Sequence, residues 1–245
     1  MMTLRETMEN LIKVNSCLQD VTTIYECDKC KDTGWIEEEI DGYVYAKECE
    51  CAIRKRQMHR QEKHIQESGL QRVLDTKTFD TFNTEGAGER NLFCAAKAYC
   101  EEYKSYWWYI AGQSGCGKTH LTTAICVELI NKGIPVYYMQ WKDESTKLKG
   151  LINDAKYSEM MKRLKTVEVL YVDDLFKGGA NEADLRLAFE IINARYNAQL
   201  PTLFSSELNL GEIAKLDMAI AGRINEMANK YALNVKSIEN KRIGA

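Results

Sequence analysis

Gly112-Gln113-Ser114-Gly115-Cys116-Gly117-Lys118-Thr119 fits the phosphate-binding loop pattern G-x-x-x-x-G-K-[ST] at every fixed position. Upstream, Tyr106-Trp107-Trp108-Tyr109-Ile110-Ala111 reads as a strand running into the loop, and Thr119 to Lys132 reads as a helix leaving it. Glycines let the backbone wrap close to phosphate oxygens, and amides at the helix start point at them. Lys118 reaches the outer phosphates and Thr119 can ligate Mg²⁺. Nucleotide binding is therefore the leading expectation. Cys116 lies inside the loop, and alkylating it is expected to block the nucleotide; the alternative is a small residue present for fit.

Around this unit, 245 residues with 45% hydrophobic content are enough for one large domain, or a small one plus a medium one. A net charge of -3 means that any nucleic-acid contact must come from a local patch. No run of about 18 apolar residues exists, and Met1-Met2-Thr3-Leu4-Arg5-Glu6 lacks the apolar core of a signal peptide. A cytoplasmic protein without a membrane partner is expected. Its nine cysteines then read as metal ligands and buried thiols rather than disulfides. From about Leu70 onward strands and helices alternate, the pattern of a mostly parallel α/β sheet, so the domains divide as 1–69 and 70–245.

Val167-Glu168-Val169-Leu170-Tyr171-Val172 is an apolar run suited to a buried parallel strand, and it ends in Asp173-Asp174. Two carboxylates at a strand end need a counter-charge, which Mg²⁺ supplies. The first acid would hold the metal's hydration shell, with Thr119, and the second would polarise the attacking water. The alternative is a helix cap. Asp174 is one methylene shorter than a glutamate, so slow, switch-like hydrolysis is expected. The next strand, Leu200-Pro201-Thr202-Leu203-Phe204, ends in Ser205-Ser206-Glu207, where ligands bind in open α/β sheets.

This arrangement resembles the AAA+ ATPases, and within them the DnaC/DnaI-type replicative helicase loaders, particularly phage and prophage forms. The resemblance covers roughly residues 79–242. It is carried by Gly112 to Thr119 with His120 and Leu121, by Asp173-Asp174 in place of the common Asp-Glu, and by Arg195-Tyr196, Ser205-Ser206-Glu207 and Gly222-Arg223-Ile224. It implies a P-loop parallel sheet with flanking helices, and an ATP site formed by Gly112, Gln113, Ser114, Gly115, Cys116, Gly117, Lys118, Thr119 and His120. It makes Lys118, Asp174 and Arg223 catalytic, with Asp173 the Mg²⁺-associated acid. Arg223 would be an arginine finger acting on a neighbouring subunit's nucleotide. Ser206 and Glu207 would sense the γ-phosphate, with Arg242 near a second sensing position. Loaders usually carry asparagine where Glu207 stands, and an acid there must point away or meet a cation. Only 38 residues follow Glu207, so the helical lid is expected to be reduced or absent.

Cys27-Asp28-Lys29-Cys30 and Cys49-Glu50-Cys51 offer four thiols in 25 residues. Zn²⁺ is the natural occupant, since four thiolates close a tetrahedral structural site and let a segment too small for its own core fold. An iron-sulfur cluster or unligated thiols are the alternatives. Lys29, Lys31 and Lys47 could offset the site's negative charge, and His59 or His64 could replace a cysteine. A small zinc-binding helical domain is expected, with Leu4, Met8, Leu11 and Leu18 as an apolar stripe for docking or for internal packing. DnaI-like loaders also carry an N-terminal zinc-binding domain that contacts the helicase.

Lys142, Lys147, Lys149, Lys156, Lys162, Arg163 and Lys165 stand against four acids between Lys142 and Lys165, a local positive patch suited to single-stranded DNA or to solvent. Arg54, Lys55, Arg56, Arg60 and Lys63 form a second cluster. The resemblance implies ATP-dependent loading of a hexameric replicative helicase onto single-stranded DNA, by a protein that self-associates into a ring or spiral. The alternative is an IstB-type transposition helper ATPase. A small-molecule kinase would want an arginine-rich lid, and a non-catalytic adaptor would bind ATP without turnover.

Overall fold

The computed structural model describes residues 25–40, 42–56, 66, 70 and 76–235, which fall into two compact units within Met1–Met58 and His59–Ala245. The stripe from Leu4 to Leu18, His59, Arg60, Lys63, His64 and Arg242 lie outside the described residues. In the first unit, β1 (Trp35–Ile40) pairs antiparallel with β2 (Tyr43–Glu48), and residues 50–56 are helical. The expected domain was helical, and its described part adds a hairpin to the helical residues 50–56. Trp-Ile-Glu-Glu-Glu-Ile and Tyr-Val-Tyr-Ala-Lys-Glu are rich in aromatic and β-branched residues that favour extended chain, and Gly42, at φ 79°, makes the turn.

In the second unit α1 (Ala87–Glu102) leads to β3 (Trp108–Gly112), the phosphate loop and α2 (Lys118–Asn131). Then follow β4 (Val136–Gln140), α3 (Trp141–Gly150), α4 (Ala155–Thr166) and β5 (Val169–Asp173). The chain continues through α5 (Glu182–Asn197), β6 (Thr202–Ser206), α6 (Leu210–Leu216), α7 (Met218–Ala228), a 3-10 turn (Asn229–Tyr231) and β7 (Ala232–Val235). The strands form one parallel sheet in the order β4-β5-β6-β3-β7. After β7 the described residues end, and no helical lid occurs among them.

Every residue of β3, β5 and β6 is buried, because both sheet faces are covered. Alternation sorts the side chains. Trp108, Ile110, Tyr171 and Leu203 share one core with residues of α1 and α2. Trp107, Tyr109, Leu170, Val172 and Phe204 share the other with residues of α3 to α7. Both indoles of β3's entry are hydrogen-bonded, Trp107 Nε1 to the Leu200 carbonyl at 2.9 Å and Trp108 Nε1 to Thr122 Oγ1 at 3.1 Å. The buried indoles therefore leave no orphan donor. The sheet places Gly112, Asp173, Ser205 and Ser206 together at its carboxyl edge, where the site is built.

Candidate active site

The loop's glycines are required by its path. Gly117 caps α2 at φ 91°, and a Cβ there would meet the Phe82 ring at 3.3 Å. At Gly112 a Cβ would strike the Val235 carbonyl at 2.7 Å and Cys116 Sγ at 3.0 Å. Lys118 is buried and donates from Nζ to the carbonyls of Gly112 (2.7 Å) and Gln113 (2.9 Å). The loop borders a cavity of about 450 Å³ whose wall includes Lys77, Ser114, Gly115, Lys118, Thr119 and His120. His120 Nε2 lies 3.0 Å from the Thr78 carbonyl and 3.2 Å from Thr81 Oγ1, with Phe82 edge-on, which ties residues 78–82 to the loop. Cys116 is only 2% exposed and packs into the core beside Gly112. Burial corrects the expectation of a reactive thiol: Cys116 is the small residue that fits.

Asp173, at the end of β5, is 4% exposed and is a hub of hydroxyl donors. Its Oδ1 accepts from Tyr171 OH at 2.7 Å, from Thr119 Oγ1 at 3.1 Å and from Ser205 Oγ; Oδ2 accepts from Tyr138 OH at 3.0 Å. Burial first, and then the Asp173 charge, hold both phenols well above the ordinary tyrosine range, so they remain donors. Asp173 has no ion pair among the described residues, so a nearly buried carboxylate faces the cavity beside the loop threonine without a cation. That donor set fits Mg²⁺, whose oxygen ligands are carboxylate, hydroxyl, water and phosphate. Tyr138 and Tyr171 were not foreseen. The available signal was Tyr171, two residues before Asp173 and hence on the same strand face.

Asp174 sits just past the strand in the left-handed region, at φ 55°, a conformation aspartate tolerates better than most side chains. Its N–H donates to Ser205 Oγ at 2.9 Å and its Oδ2 accepts from Lys177 Nζ at 2.7 Å. The Asp174 hydrogen bond raises the Lys177 pKa, so its charge persists at neutral pH. Ser206, expected at the site, turns instead to the Leu175 carbonyl (2.8 Å) and accepts from the Leu208 N–H (3.1 Å). Alternation on β6 gives the site Ser205 in its place. Glu207 is exposed and meets a cation, Lys177, at 3.5 Å.

Arg223 is not on the cavity wall. On α7 its Nε donates to Asn193 Oδ1 at 3.0 Å and its guanidinium lies over Phe189 and Tyr196, 4.9 and 5.5 Å from the ring centres. In the basic stretch, Lys147, Lys149 and Lys165 pair with Glu144, Asp184 and Glu190, and Arg163 lies over Tyr137. Lys142, Lys156 and Lys162 have no ion pair among the described residues. Of the second basic cluster, Lys55 and Arg56 pair with Glu26 and Glu48.

In the first unit the four thiols of Cys27, Cys30, Cys49 and Cys51 lie within 4.8 Å of one another, with Cys27 to Cys49 at 3.8 Å and Cys30 to Cys51 at 3.3 Å. A tetrahedron with Zn–S bonds of about 2.3 Å has sulfur separations of about 3.8 Å, so the set fits zinc. The tight C-x-C works because β2 ends before Cys49 and a helix begins, which turns both thiols to one side. Asp32 Oδ1 accepts the Cys27 N–H at 3.0 Å and helps shape the C-x-x-C turn. A backbone hydrogen bond at Cys30, and then the Cys51 thiol, lower the Cys27 pKa to about 7, while the Cys30 thiol first among several causes pushes Cys51 to about 12. The proposed charge offset is corrected in part: Lys29 and Lys47 pair with Glu50 and Glu38.

A protein-family model described as IstB-like ATP binding protein matches residues 27–240. The phage-like element PBSX protein XkdC of Bacillus subtilis (strain 168) is 30% identical over 227 residues, covering 86% of this chain and 83% of that protein. The replicative helicase loader DnaC of Escherichia coli (strain K12) is 24% identical over 167 residues, 66% of this chain and 68% of that one. Among solved structures, the crystal structure of the DnaI shares the fold, with a TM-score of 0.57 at 22% identity over 70% of this chain and 93% of that chain. No described helix is long and apolar enough to cross a membrane.

Proposed function

Because the chain belongs to the IstB-like ATP-binding family as an AAA+ ATPase of the DnaC/DnaI type, we propose that it is an ATP-dependent loader of a hexameric replicative helicase onto single-stranded DNA. The observation that carries the ATP-driven part is Asp173, a buried acid with no ion pair among the described residues, held 3.1 Å from the hydroxyl of Thr119 in the phosphate loop. Asp173 and Thr119 would hold Mg²⁺, which would supply the charge that offsets the carboxylate and the outer phosphates. Lys118 then donates to those phosphates rather than to the loop carbonyls. Asp174 orients water and accepts its proton as the water oxygen bonds to the γ-phosphorus and the bond to the ADP oxygen breaks.

Arg223 is stacked on two rings at the rim of α7, which restricts its rotamers and suits it to act on a neighbouring subunit's phosphates. Self-association into a ring or spiral follows from that role. Lys142, Lys156 and Lys162, free of ion pairs among the described residues, are the cations available to DNA phosphates. Cys27, Cys30, Cys49 and Cys51 hold a structural zinc, in the unit that would contact the helicase.

Size-exclusion chromatography with light scattering, on this protein plus its host's replicative helicase with ATP or ADP, tests the reading. A complex containing a helicase hexamer in one nucleotide state, lost in Lys118→Ala, is expected. If no complex forms in any state, the family's other reading, a helper ATPase of transposition, takes its place, and a transposase becomes the partner to test.

A further inference from the structure

We propose that Lys177 is the group that distinguishes ATP from ADP in this site, and that Glu207 governs it through an Asp174–Lys177–Glu207 ion chain at the cavity wall. The inference rests on the ATP-site reading above and adds a positioning residue to it. Lys177 lines the same cavity as Lys118, Thr119, Asp173 and Asp174. Its Nζ lies 2.7 Å from Asp174 Oδ2 and 3.5 Å from Glu207 Oε1. One ammonium therefore serves two carboxylates.

The backbone sets this arrangement. After β5 the chain turns with Asp174 and Phe176 at φ 55° and 59°, and the Lys177 N–H donates to the Asp174 carbonyl at 3.1 Å, which folds the lysine back over the acid. The turn is fastened to β6, since the Leu175 N–H donates to the Ser205 carbonyl at 2.9 Å and Ser206 Oγ donates to the Leu175 carbonyl. Positive φ at two non-glycine residues is costly and persists only where the surroundings hold it. The side chains are free to respond. The Lys177 side chain is 41% exposed on a flexible stem, whereas Lys118 is 4% exposed with its ammonium on loop carbonyls.

A triphosphate brings to this wall a terminal anion that a diphosphate lacks. Lys177 must then divide its charge between Asp174 and the phosphate. As it moves toward the phosphate, Asp174 Oδ2 loses the donor that occupies it and becomes able to accept a proton from water. The ion chain thus links the presence of the γ-phosphate to the availability of the base. Glu207 does not line the cavity and reaches the site through Lys177, holding the ammonium back in proportion to its own charge.

The test is to measure ATP and ADP affinities by titration with fluorescent nucleotide for wild type, Lys177→Met, Lys177→Arg, Glu207→Gln, the Lys177→Met/Glu207→Gln double variant and Lys118→Ala. Lys177→Met should reduce the preference for ATP over ADP about tenfold and leave ADP affinity within about twofold, while Lys177→Arg retains the preference. Glu207→Gln should raise ATP affinity about threefold, and that gain should shrink or vanish in the double variant. An unchanged ATP preference in Lys177→Met, or additive effects in the double variant, overturns the proposal while leaving the phosphate-loop reading intact. Unchanged nucleotide affinity in Lys118→Ala overturns both.

Discussion

Arg195 brings a full positive charge into the core with no carboxylate partner among the described residues. It is 0% exposed, and its donors go to Thr202 Oγ1 and to the carbonyls of Leu164, Val167, Glu168 and Pro201. Burial lowers its pKa to about 9, which keeps it charged at neutral pH. The guanidinium's fork of donors joins the end of α4 to the starts of β5 and β6, the two strands that deliver Asp173 and Ser205. Arg195→Met would strip five acceptors at once and is expected to cost about 3–5 kcal/mol, read as a lower urea midpoint. Lysine would restore little, because its three donors cannot span the same acceptors. In the sequence Arg195 stood only as part of the Arg195-Tyr196 pair that helps to carry the family resemblance. Its partners come from three separate elements, so no local pattern could announce its role. The same holds for Tyr138, which reaches Asp173 from the neighbouring strand.

At the scale of elements, β3, β5 and β6 were legible because parallel strands covered on both faces are continuous apolar runs. Their ends were less so. The apolar runs stop at Val172 and Phe204, but sheet structure continues through Asp173 and Ser206. Polarity ended the expected strands early, while the backbone ladder and the hydroxyl network around Asp173 carry the polar ends. The hairpin β1-β2 was not legible because three consecutive glutamates, Glu37 to Glu39, break the alternation of apolar and polar residues that marks a strand. Its four thiols lead to a prediction at this scale. The protein should carry one zinc by native mass spectrometry, and Cys49→Ser, which replaces a thiol that is 1% exposed, should lose it. A protein carrying no metal when purified without chelator would refute the site.

For the whole molecule, the buried titratable groups predict how stability responds to alkali. Burial holds Tyr99, Cys100, Tyr109, Cys126, Tyr138 and Tyr171 above their ordinary values, with Cys100 at about 12. The unfolded chain releases those protons from about 8.5 for thiols and about 10 for phenols, so stability must fall as pH rises above about 8.5. Arg195 opposes this from the core, because above about pH 9 the unfolded chain keeps a proton that the folded one gives up, and the lowered Cys27 thiol acts in the same direction. A net loss of about 4 kcal/mol between pH 8 and pH 10 is expected in urea titrations. By itself the sequence determined the phosphate loop, its strand and helix, the acid pair and the cysteine set, because each is a contiguous pattern imposed by local backbone geometry or ligand spacing. Only the tertiary structure decided that Ser205 rather than Ser206 faces Asp173, that Cys116 is buried, and that Lys177 lies between Asp174 and Glu207. Those facts depend on strand register and on a left-handed turn, which bring residues from separate segments together.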